Sequence, residues 1–98
     1  MEFTPVPLDL LQCFVEWNDS FQAAARRKHI HFSFDSMPDT DYHTQADAEK
    51  LERIYFNLLA HAVKFTPETG KVTVRLAALK KDSVTFFRLT VDNTGRLI

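Results

Sequence analysis

The stretch DAEKLERIYFNLLAHAVKFT, residues 47–66, decides how the rest of the chain is read. It predicts one amphipathic helix. Asp47 suits the N-cap, where a carboxylate accepts from backbone N–H groups that the first turn leaves unpaired. Glu49 sits well at the positive end of the helix dipole. Leu51, Ile54, Tyr55, Leu58 and Ala62 recur at the three-and-four spacing of a buried stripe. At about 100° per residue, Arg53, Asn57, His61 and Lys64 fall within about 80° of one another on a different face. Such a face is ordinarily just solvated. Asn57 argues against that, because Asn is a poor helix former and needs a reason to sit mid-helix. Pro67 and Gly70 are expected to end the helix and turn the chain.

With 98 residues, the chain is one small domain at most. A hydrophobic content of 45%, with nine Phe, is enough to fill a modest core. The net charge of −1 offers no basic face, so no nucleic-acid partner is expected. No apolar run approaches 18 residues and no signal peptide is evident, so the piece reads as soluble, without direct membrane contact. Cys13 is the single cysteine, which excludes an internal disulfide and fits a reducing compartment. Only Gly70 and Gly95 are glycines. That excludes a P-loop and a dinucleotide fingerprint, so phosphate binding must use other means.

Outward from the central helix, Phe3 to Leu8 is an extended lead-in, kept out of helix by Pro5 and Pro7. From Asp9 to about Lys28 a second helix is expected, with Leu10, Phe14, Trp17, Phe21 and Ala24 as its buried stripe. Arg26, Arg27 and Lys28 sit at its negative end. In HIHFSFD, residues 29–35, Ile30, Phe32 and Phe34 alternate with His29, His31 and Ser33, as on a half-buried strand. Two histidines on one strand face lack a third ligand at metal-binding spacing and read as surface. Residues 36–41 form a loop, and Tyr42 to Gln45 a short strand. Lys71 to Leu79 and Val84 to Val91 make an antiparallel hairpin across a turn at 80–83. The fold class is therefore α+β. It is a two-layer sandwich in which two helices cover one face of a mixed, largely antiparallel sheet.

Two motifs carry a family resemblance. Asn57-Leu58-Leu59 and Ala62-Val63-Lys64-Phe65-Thr66-Pro67, followed by Gly70-Lys71-Val72, closely resemble the N-box of sensor histidine kinases. Val91-Asp92-Asn93-Thr94-Gly95-Arg96-Leu97-Ile98 resembles the first glycine box of the same family, usually V-x-D-x-G-x-G-I. The resemblance covers essentially the whole chain, residues 1–98, as a single partial ATP-binding domain of the Bergerat fold. It implies ATP and Mg²⁺ as cofactors. Asn57 matches the asparagine that holds Mg²⁺, and Lys64 the lysine that approaches phosphate. Asn93 takes the adenine-reading position, and Gly95 lets backbone approach the base. His61 and Arg53 are phosphate neighbours.

Three residues depart from the pattern. His61 replaces a second asparagine, and imidazole is a worse Mg²⁺ ligand than oxygen. Asn93 replaces an aspartate, so the bond to adenine loses its charge assistance. Leu97 replaces a glycine, so either its side chain fills space the nucleotide needs or the backbone there is strained. The chain also stops inside the first glycine box, so it reads as a piece of a longer protein. None of His29, His31, His43 or His61 lies in a phosphoacceptor context, so no catalytic residue is assigned.

The implied function is that of the Mg-ATP-binding catalytic domain of a two-component sensor histidine kinase, a transferase acting in phosphorelay signal transduction. The implied partners are the histidine-phosphotransfer and dimerisation domain of the same parent and a downstream response regulator. The implied location is cytoplasmic, compatible with a parent anchored in the inner membrane. This piece alone is expected to be inactive as a kinase. A truncated sheet exposes an edge, so self-association is expected. The alternative is a degenerate ATPase-fold module for interaction or regulation that binds ATP weakly or not at all.

Overall fold

The computed structural model describes residues 4–93. The elements follow in the order β1 (Val6–Asp9), α1 (Leu10–Arg27), β2 (His31–Ser36), β3 (His43–Ala46), α2 (Ala48–Phe65), β4 (Lys71–Lys81) and β5 (Val84–Asn93). The expected order of elements and the α+β class both hold. The sheet differs in one respect, because there are two sheets. β2, β4 and β5 form the larger one, with β2–β4 parallel and β4–β5 antiparallel. β1 and β3 pair antiparallel as a separate ribbon. Pro5 and Pro7 supply no N–H to a ladder, which suits the lead-in to a two-stranded edge.

Each helix start has a local cause. The Asp9 carboxylate accepts from the N–H groups of Leu11 and Gln12, and Asp47 accepts from that of Lys50. Asp47 also accepts from the N–H of Thr4, tying the lead-in to α2. These backbone donors hold its carboxyl below the usual range. α1 ends in a Schellman motif. His29 takes a φ of 57°, its N–H donates to the carbonyl of Arg26, and that of Ile30 donates to the carbonyl of Ala25. His29 is thus a helix-terminating residue and not a strand residue, and β2 begins at His31.

The core lies between the helices and the β2-β4-β5 sheet. Val72, Val74 and Leu76 are buried there, with Phe32 and Phe34 half-buried beside Val72 and Val74 in the parallel register. Phe14 packs against Phe34, and Phe21 against Phe32 and Phe56. On the opposite face the Ser33 hydroxyl bonds that of Thr73. Tyr42 is buried, and its hydroxyl donates to the carbonyl of Leu76 while accepting from the N–H of Met37. That pair of bonds closes the loop before β3 onto the sheet.

Both buried stripes are rotated from the expected ones. α1 buries Leu10, Phe14, Asn18, Phe21 and Ala25, with Trp17 and Ala24 only half-buried. α2 buries Tyr55, Leu59 and Ala62, whereas Ile54 is 57% and Leu58 46% exposed. The two rotations meet in one contact. The Tyr55 hydroxyl, fully buried, donates to the side-chain oxygen of Asn18. The Tyr55 ring also meets Phe14 at 4.6 Å and Trp17 at 6.2 Å between centroids. Burial pushes the Tyr55 pKa up, so its hydroxyl remains a donor across the physiological range.

Besides His29 and Asp39, two turns put non-glycine residues at positive φ. Gly70 closes the turn after α2 with its N–H on the carbonyl of Pro67, but Thr69 takes the positive φ, 68°. The β4–β5 connection tightens to Asp82 and Ser83, at 53° and 66°. Positive φ at both residues matches the twist of the flanking strands.

Tyr55→Phe should cost about 1–3 kcal/mol, because it strands a buried amide. Adding Asn18→Leu should return part of that loss. Urea unfolding of the two single variants and the double variant measures the coupling, and strictly additive effects would contradict the bond.

Candidate functional site

The polar face of α2 forms an open groove. Among the described residues it is lined by Asn57, Ala60, His61 and Lys64, and it measures about 390 Å³. The rotation of α2 puts it there. With Tyr55, Leu59 and Ala62 turned to the core, Asn57, His61 and Lys64 lie roughly on the opposite side of the helix. All three are exposed. The imidazole of His61 stacks on the ring of Phe65, 5.6 Å between centroids at 11°, and the Lys64 ammonium sits 5.5 Å from the centre of the same ring. Exposed Ile54, Leu58 and Phe65 flank the groove with apolar surface.

The end of α2 is held from outside the helix. The Thr66 hydroxyl donates to the carbonyl of Ala62 at 2.5 Å. The Lys28 ammonium, arriving from the end of α1, donates to the carbonyls of Val63 and Lys64 at 2.8 and 3.1 Å. These contacts were not legible in sequence, where Lys28 reads only as closing its own helix.

The other expected site residues fall as follows. Arg53 is exposed one turn before Asn57 and does not line the groove. Asn93 is exposed at the end of β5, opposite Val72 at the start of β4. Gly95 and Leu97 lie outside the described residues. Among the described residues, no three His, Cys, Asp or Glu side chains converge on a metal site. His31 opens β2 at the surface.

A second groove of about 540 Å³ was not anticipated. Met37, Asp39, Asp41, His43, Lys80 and Phe87 are among its lining residues. Within it the Asp41 carboxylate accepts from the N–H of His43 and lies 2.7 Å from His43 Nδ1. Asp9 lies 3.9 Å from the other ring nitrogen. The bond from Asp41, then its charge and that of Asp9, raise the His43 pKa above 6.5. The N–H and ring of His43 lower that of Asp41 below 3.8. The stabilisation from His43 is complete below 6.5 and lost as pH rises through the folded value. That from Asp41 is present above 3.8 and lost as pH falls through the folded value. The pair therefore contributes between those limits.

Known proteins share this arrangement of elements. No protein-family model matches the chain. Over 76 residues it is 32% identical to Histidine kinase P4 of Formosa agariphila, covering 78% of this chain and 5% of that protein. Its fold superposes on the catalytic domain of the histidine kinase ThkA with a TM-score of 0.81 and 26% identity, covering all of this chain and 60% of that one.

The fold is that of a histidine kinase catalytic domain.

A second ThkA structure, in complex with the response regulator protein TrrA, matches at TM-score 0.83 and 23% identity over 98% of this chain and 27% of that one. Full-length ShkA in complex with AMPPNP matches at TM-score 0.77 and 27% identity, covering 97% and 19% of the two chains. The chain thus spans only a small part of the curated kinase and about three fifths of the ThkA catalytic domain.

A proton-detected NMR titration should place the His43 pKa above 6.5, and Asp41→Asn should bring it back toward that value. An unchanged midpoint in the variant would contradict the pairing.

Proposed function

We propose that this chain is the N-box part of the Mg-ATP-binding catalytic domain of a sensor histidine kinase, and that the α2 groove receives the polyphosphate. The observation that carries this is the sharing of one open groove by Asn57, His61 and Lys64, an amide, an imidazole and an ammonium. The donor set fits the group. The Asn57 amide oxygen suits a hard cation that keeps several waters. The Lys64 ammonium is a point charge for phosphate oxygens. Arg53, a turn away, adds positive potential without lining the groove. Asn93, exposed at the end of β5, would offer an amide oxygen to the adenine amino group, and Gly95 follows it in the chain. ATP bound there supplies the γ-phosphoryl group for transfer to a histidine. The protein's share of such chemistry is positioning and charge neutralisation.

ShkA, with its bound nucleotide analogue, supports the ligand in this reading, and ThkA with TrrA supports a response regulator downstream. The phosphoacceptor histidine belongs to a dimerisation domain of the parent. A cytoplasmic location goes with those partners. Self-association of this chain is supported by β5, which among the described residues pairs only with β4 and exposes Val84 and Phe86.

One observation favours the alternative, an interaction or regulatory module. His61 is stacked on Phe65 and replaces an oxygen donor with an imidazole.

Calorimetry with Mg-ATP separates the two readings. Asn57→Ala should weaken binding roughly ten- to a hundredfold, the scale of hydrogen bonds to charged groups. His61→Asn should strengthen it about threefold or more, and only when Mg²⁺ is present. No binding at millimolar Mg-ATP by the folded chain would sink the nucleotide reading and leave the regulatory module.

A further inference from the structure

His61 and Lys64 sit in the last turns of α2, whose final residue is Phe65. This is the wrong end of a helix for an anion. The last carbonyls lack helical N–H partners and carry about half a negative charge between them. A polyphosphate lying along His61 and Lys64 faces that charge. Helix N-termini bind phosphate for the opposite reason.

We infer that Lys28 is a positioning residue that masks the negative end of α2 and so allows the His61–Lys64 turn to accept an anion. Its ammonium bonds the carbonyls of Val63 and Lys64, 35 and 36 residues away in sequence. Thr66 satisfies the carbonyl before them. Three consecutive carbonyls, of Ala62, Val63 and Lys64, thus point at donors. α2 has no glycine cap to do this, since Thr66 leaves the helix in an extended conformation at φ −91°, ψ 127°. Lys28 can reach across because the Schellman motif stops α1 directly after it. The Lys64 carbonyl is tied by Lys28 while the Lys64 side chain lines the groove, so the same contact fixes the backbone from which Lys64 projects.

The inference rests on the reading of His61 and Lys64 as phosphate-facing, and the test keeps the two apart. The 98-residue chain is titrated with inorganic tripolyphosphate, with Mg-ATP and with adenosine, as wild type and as Lys28→Met, Lys28→Gln and Lys28→Arg. Amide shifts of His61, Lys64 and Phe65 report the site. Lys28→Met should weaken tripolyphosphate and Mg-ATP about five- to tenfold and leave adenosine within about twofold. Lys28→Gln keeps a donor without the charge and should weaken both anions less than Lys28→Met does. Lys28→Arg keeps the charge and should restore wild-type affinity. Equal weakening of all three ligands would mean that Lys28 is only structural, which overturns the inference. Unchanged anion affinity in a folded Lys28→Gln overturns it and leaves the groove reading intact. No response of wild-type His61 and Lys64 to tripolyphosphate overturns the groove reading and the inference with it.

Discussion

The bond between Tyr55 and Asn18 sets the rotation of α2 about its own axis, and the rest of the site depends on that rotation. Tyr55 is the largest side chain that α2 buries, and its hydroxyl has a partner on α1 only in this orientation. Phe14 and Trp17 close around the ring. Turning α2 by one residue, about 100°, would strand a hydroxyl and an amide in the core. It would also swing the face that Asn57, His61 and Lys64 share away from its present place opposite the core. A core hydrogen bond thereby fixes the position of a surface groove. Lys28 does the same for the far end of the helix, through backbone carbonyls instead of a ring.

The elements were largely legible from local chemistry. Asp47 does cap α2, the Phe32 and Phe34 alternation does make β2, and the β-branched runs after Gly70 do form the hairpin. The helix faces were legible only in part. α2 carries more apolar residues than its core face can bury, so Ile54 and Leu58 compete in sequence with Leu59, and periodicity cannot rank them. Contact with α1 ranks them. Asn18 is not legible in sequence because a polar residue in a helix reads as solvent-facing, and only the Tyr55 hydroxyl makes its burial favourable. The positive φ of Thr69 is not legible because Gly70 beside it is the ordinary bearer of that conformation. Asn57, His61 and Lys64 were legible as a set because a shared helix face is a property of spacing alone. The Asp41–His43 groove was not, since it joins a loop to a hairpin distant in sequence.

The site itself is electrostatically compromised, and its departures from the family pattern bear on the same point. The groove lies toward the carboxyl end of α2, so the proposed anion site would draw on the Lys64 side chain, with Lys28 masking the helix end. His61 brings a nitrogen where an oxygen would serve a hard cation better. Its stacking on Phe65 holds the ring flat against an apolar neighbour. As a seat for a metal–polyphosphate, this donor set offers weaker contacts than two amides and a carboxylate would.

The most direct test of the account is residue-resolved NMR of the labelled 98-residue chain during a titration with Mg-ATP. The account predicts shifts concentrated on Asn57, His61, Lys64 and Phe65 and at the Asn93 end of β5, with the Asp41–His43 groove silent. Shifts confined to that second groove or to the hairpin tip would contradict it.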